Sequence, residues 1–158
     1  MAPTHTRSQT LTQIIEICAD WGIQLNIYYD PSLNSKPYST DGGFGVNPQL
    51  GADIEIDFAA HATPAQIWWC FLHEFGHCLQ WLESHDDTTW LMGYLFSEHS
   101  KQELEIDAWV KAEALARNSL FPPTAGFYYD RRIALGTYGI DADAVDFAYL
   151  SCKPTAYL

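Results

Sequence analysis

Five consecutive residues, His73-Glu74-Phe75-Gly76-His77, read H-E-x-x-H. On an α-helix, residues four apart share a face. Two imidazoles can therefore converge on one metal ion while Glu74, one position round, reaches a water beside it. The chemistry implied is metal-assisted hydrolysis. Zinc lowers the pKa of a water from 15.7 to about 7, and a carboxylate takes the proton as general base. Glu74 is the expected base, and His73 and His77 are the expected ligands.

A hydrolytic zinc takes three protein ligands and keeps one position open, so a third side chain is required. Glu103-Leu104-Glu105-Ile106-Asp107 is the best source. Glu103 and Asp107 are four apart, so Glu103 can serve as ligand while Asp107 accepts a proton from a ligand imidazole. This is the E-x-x-x-D pattern of gluzincins. Glu103 also fits position N3 of a capping box opened by Ser100, and in that case Glu105 replaces it as ligand. His85 and His99 are the histidine alternatives. The metzincin spacing needs Gly and His where this chain has Gln80 and Glu83, while His5 and His61 stand apart from any ligand pattern.

These groups must be carried by regular elements. Thr63-Pro64-Ala65-Gln66 combines a capping threonine, a proline at the first helical position and a glutamine at N3, predicting a helix over about 64–83. Trp68, Trp69, Phe71, Phe75 and Trp81 encircle it, as on a helix buried on most sides. Leu11, Ile14, Ile15 and Cys18 predict a helix over 9–21, and alternation over 23–29 predicts a strand. Residues 31–43 carry loop chemistry, and short strands are expected at 44–46 and 54–58. Helices are expected at 89–96 and 101–119. Residues 127–140 are ambiguous, and a last helix is expected over 141–150. The carboxylates of Glu55 and Asp57 suit an exposed sheet edge, where Ile54, Glu55 and Ile56 would bind an extended substrate through its main chain. Tyr128, Tyr129, Tyr138 and His99 are the candidate donors to an oxyanion.

A chain of 158 residues suits one domain, and with 47% apolar and 18% charged residues it can bury a core. Residues 1–8 form a candidate disordered tail, and 124–158 stay unassigned. The formal charge of −12 opposes binding to nucleic acid or anionic membranes. The longest apolar run is Ile67–Leu72, too short to span a bilayer, and the polar N-terminus does not read as a signal peptide. A cytoplasmic chain with reduced Cys18, Cys70, Cys78 and Cys152 is expected.

Together, the H-E-x-G-H helix and Glu103-Leu104-Glu105-Ile106-Asp107-Ala108-Trp109, ahead of a helix closing on Leu120-Phe121-Pro122, resemble the ImmA/IrrE family of small gluzincin-type zinc metallopeptidases over residues 10–123. The resemblance implies an α+β, zincin-like fold. In it a small, mostly antiparallel sheet packs on the H-E-x-x-H helix, and further helices follow toward the C-terminus. It also implies a zinc endopeptidase acting on a protein substrate, in a family similar to enzymes that cleave transcriptional repressors. Two other readings remain open. One is a zincin-fold module that binds or inhibits a basic partner without proteolysis. The other is a closed structural metal site completed by His99 or Cys78.

Overall fold

The computed structural model describes residues 4–47, 49–84 and 93–152. The chain is α+β. Helix α1 spans Arg7–Trp21, strand β1 Gln24–Tyr29, strand β2 Thr40–Asn47 and strand β3 Gly51–Phe58. Helix α2 follows over Pro64–Ser84, α3 over Glu98–Ala116, α4 over Ala125–Thr137 and α5 over Phe147–Ser151.

Helix α1 starts two residues before the expected boundary at residue 9, because Thr6 and Gln9 form a reciprocal capping box. Arg7 then ties this end to the carbonyls of Ala60 and Ala62 at 2.9 and 2.7 Å. Residues 6–8 are thus part of the fold, contrary to the expected tail. The same box, between Thr63 and Gln66, opens α2 as its sequence predicts. Residues 67–80 of α2 are all buried. Its neighbours are α1, α3, α4, β2 and β3, which is why its aromatics need no polar face.

The sheet corrects two expectations. Its order is β1-β3-β2, with β1 parallel to β3 and β2 antiparallel to it, so it is mixed and not mostly antiparallel. Strand β3 is central. Ile54 and Ile56 are fully buried against α2, and both edges of β3 are already paired. Ile54, Glu55 and Ile56 therefore cannot accept a substrate strand by main-chain addition. The edge strand beside α2 is β2, which begins inside the stretch expected to be loop. Its Gly42 and Gly43 pair in register with Ile56 and Glu55.

Toward the C-terminus, α4 fills most of the ambiguous segment, capped by Thr124. The single helix expected over 141–150 is instead a 3-10 turn at Ala142–Ala144 followed by α5. Asp141 and Asp146 each cap a separate start, so the backbone breaks between them. The expected helix at 89–96 falls largely outside the described residues, of which 93–96 are helical. No helix among the described residues is long and apolar enough to cross a membrane. Cys18, Cys70, Cys78 and Cys152 are free thiols.

Candidate metal centre

His73 and His77 project from one face of α2 toward α3. Their ring centroids are 4.8 Å apart. The ligand atoms of His73, Glu74 and His77 lie within 4.8 Å of one another, and all three residues are buried. The carboxylate that faces both imidazoles is Glu105, not Glu103. His73 Nε2 is 3.1 Å from Glu105 Oε2, and His77 Nε2 is 3.3 Å from Glu105 Oε1.

The reason lies in the register of α3. Ser97, not Ser100, caps the helix, so Glu103 sits a full turn inside it. Glu105, Ala108, Trp109, Ala112 and Ala116 follow the spacing i, i+3, i+4, i+7, i+11 and make the buried stripe against α2. Glu103 lies about 200° round the helix from Glu105. Its side chain is 67% exposed and pairs with the 82% exposed His99 at 3.2 Å. Neither Glu103 nor His99 is brought to the imidazoles, and His85 lies outside the described residues. The stripe was the available signal: an acidic residue in register with Ala108, Trp109 and Ala112 has to face the helix it packs on.

Two glycines allow the close approach of these elements. A Cβ on Gly76 would lie 2.7 Å from the carbonyl oxygen of Ala108, so Gly76 sets how near α2 and α3 can pack. A Cβ on Gly42 would lie 2.7 Å from Glu74 Oε1 and 3.0 Å from Cys70 Sγ, so Gly42 makes room for the Glu74 carboxylate beneath β2.

Asp107 acts on the centre through Gln80. Gln80 Nε2 donates to the Leu104 carbonyl at 2.7 Å and to Asp107 Oδ2 at 2.8 Å. These two acceptors orient the amide so that its oxygen faces His77 Nδ1 at 2.9 Å. The Nδ1 atom must then carry the proton, which leaves Nε2 free as a ligand atom turned to Glu105. Lys111 anchors Asp107 from below at 2.7 Å.

His73 is clamped differently. Its Nδ1 lies 3.1 Å from Glu74 Oε1, and its ring stacks on Trp109 at 4.5 Å between centroids and 16° between planes. Burial opposes a charge on His73, yet Glu74 and Glu105 on its two sides outweigh burial and raise its pKa to about 9. Burial likewise pushes Glu105 upward, but the hydrogen bonds with His73 and His77 hold it well below the usual carboxylate range. A buried carboxylate facing two imidazole nitrogens needs positive charge between them. A proton can supply it, and so can a divalent cation.

Space for an ion or water exists. A cavity of about 100 Å³ is bordered by His73, Glu74, His77, Glu105, Tyr94 and Tyr138, with Gly42, Gly43 and Phe44 of β2 along one side. Two nitrogens and a carboxylate suit zinc, whose usual donors these are. Tyr94 donates to Glu105 Oε1 at 2.7 Å. Sequence reasoning missed it, since nothing in the residue types of 93–96 says that this short helical segment meets Glu105 of α3. Tyr138, at the end of α4, hydrogen-bonds with Tyr94 and Glu105, and burial beside Glu105 pushes its pKa up to about 12. It stays a neutral donor near pH 7. Tyr128 and Tyr129 are exposed, and Tyr128 donates to Glu113 instead.

A larger cleft of about 350 Å³ adjoins this cavity, sharing Gly42, His73, Glu74 and Tyr138 with it.

Comparison with known proteins adds no relative: no family model, no curated protein and no solved structure matches this chain.

Proposed function

We propose that the chain is a zinc-dependent endopeptidase, with His73, His77 and Glu105 holding the metal and Glu74 as general base. The single observation that carries this reading is the convergence of His73 Nε2 and His77 Nε2 on one buried carboxylate, at 3.1 and 3.3 Å, beside a cavity that Glu74 also borders. The H-E-x-G-H resemblance to ImmA/IrrE peptidases supports the same assignment, as does the arrangement of the α2 helix beneath a small sheet.

Zinc bound there would supply Lewis acidity, polarising a carbonyl and lowering the pKa of a water toward about 7. The protein's part is positioning and proton transfer. Glu74 accepts a proton from the attacking water and returns it to the leaving amine. Trp109 and Gln80 hold the two imidazoles in place, through stacking and through the Nδ1 hydrogen bond. Tyr138 borders the cavity as a protonated phenol, suited to donate to a developing oxyanion. An extended substrate adds to β2, the edge strand whose Gly42, Gly43 and Phe44 border the cavity.

The test is zinc analysis alongside peptide cleavage for wild type, Glu105→Gln, Glu103→Gln and Glu74→Gln. Wild type and Glu103→Gln should bind zinc equally, and Glu105→Gln should bind it far more weakly. Glu74→Gln should keep zinc and lose cleavage. Equal zinc binding by Glu105→Gln and wild type, or full cleavage by Glu74→Gln, would overturn the assignment.

A further inference from the structure

The 350 Å³ cleft beside Glu74 has an uneven character. Trp69, Trp109, Tyr38 and Tyr138 form aromatic walls. The charged groups that line it are Asp41, Glu74, Asp130 and the His73 ring, with no lysine or arginine among them.

Asp130 is half-buried and, like Asp30, Asp53 and Asp57, differs from the described acids that face a base. Glu105 faces two histidines, Glu113 meets Arg117 and Arg131, and Asp107 meets Lys111. Asp130 has a hydrogen bond with Gln66 and forms no ion pair among the described residues. The two arginines that follow it in α4 are committed elsewhere. Arg131 bonds Glu113 at 2.8 Å and lies over the Phe147 ring, and Arg132 bonds Asp143 at 2.6 Å. Burial raises the Asp130 pKa to about 6, so near pH 7 this wall of the cleft carries a carboxylate that the fold leaves without a cation.

Aromatic faces stabilise a cation near their centres and pack along an alkyl stem. A carboxylate at the end of such a channel pairs with an ammonium or guanidinium head. An apolar side chain would instead strip water from Asp130 and Asp41 without replacing it. We propose that this cleft is the side-chain pocket for a lysine or arginine flanking the scissile bond, with Asp130 as its specificity-determining residue and Asp41 contributing at the rim. The placement beside the scissile bond rests on the peptidase reading, because His73, Glu74, Gly42 and Tyr138 border both the cleft and the metal cavity.

Binding to the intact, metal-free chain tests the pocket without requiring turnover. N-acetyl-arginine amide, N-acetyl-lysine amide and N-acetyl-norleucine amide are titrated at pH 7.5 and followed by amide NMR shifts. At least one cationic probe should bind tenfold or more tightly than norleucine, shifting resonances of Trp69, Trp109 and residues 130–138. Asp130→Asn should erase that difference, and Asp41→Asn should reduce it by a smaller factor. A thermal melt of each variant confirms that it is folded. If Asp130→Asn does not fold, Asp41→Asn and the wild-type ranking still decide the matter. Norleucine binding as tightly as both cations, no binding by either cation, or an unchanged preference in folded Asp130→Asn would overturn the pocket. Cation selectivity in a chain that binds no zinc would leave the pocket standing and remove the peptidase reading. Peptide cleavage indifferent to basic residues would do the reverse.

Discussion

Gly42 of β2 lies directly against Glu74 of α2, so closely that a single methyl group at position 42 would meet the Glu74 carboxylate at 2.7 Å and its Cγ at 2.9 Å. The edge strand and the proposed general base are therefore one packing unit. Gly42→Ala should displace Glu74 and cut peptide cleavage tenfold or more while leaving zinc content at the wild-type level. Overpacking of this kind costs about 1–3 kcal/mol of stability. Cleavage at the wild-type rate in a zinc-loaded Gly42→Ala protein would show that the Glu74 position is not set by β2.

Gly76 controls a different distance. Its missing Cβ lets the α3 backbone at Ala108 approach α2, and that approach carries Glu105 to the two imidazoles. Backbone cannot give way as a side-chain end can. Gly76→Ala should therefore both destabilise the fold, by about 1–3 kcal/mol, and weaken zinc binding. Urea denaturation and a competitive zinc titration measure the two effects. Loss of stability with unchanged zinc affinity would disconnect the helix spacing from the site.

The Lys111–Asp107–Gln80–His77 chain fixes which nitrogen of His77 carries the proton. Gln80→Leu keeps the bulk and removes the acceptor for Nδ1–H. Zinc affinity should fall about 10–100-fold, the usual size of such an effect. Glu103→Gln, on the exposed face of the same α3 helix, should leave it unaltered. Equal affinities for Gln80→Leu and wild type would refute this role.

Asp130 predicts a pH dependence of stability. Burial raises its folded pKa to about 6 from an ordinary 3.8, so between these values the folded state holds a proton that the unfolded state has released. Stability contributed by this group is therefore full below about pH 3.8 and is lost as pH rises through about 6. Cys70, Asp41, Glu74, His73 and Gln66 share the cleft with it and are common to wild type and Asp130→Asn. The stability of wild type minus that of Asp130→Asn, by urea denaturation of metal-free protein, should fall between pH 4 and pH 6.5 and then level. A difference that stays flat, or rises, contradicts the burial of this carboxyl.

Local signals in the chain sufficed for the elements that depend on neighbours in sequence. The Thr63–Gln66 box starts α2 where its residue types say it must, and the all-round aromatics of α2 correctly announce burial. Placing His73 and His77 on one face needs only helical geometry. Alternation identified β1 and β3 as strands, because period two is a property of the strand itself. Alternation is silent about which strands lie on either side. Glu55 and Asp57 suggested an edge, yet pairing partners from both sides put β3 in the middle. The choice of Glu105 over Glu103 turned on where α3 begins and on which stripe meets α2, and a plausible cap at Ser100 obscured both. Tyr94, Tyr138 and Asp130 reach the site from segments 21 to 65 residues beyond His73. Their convergence is set by helices packing at glycine-permitted distances, a relation between surfaces that no window of neighbouring residues contains.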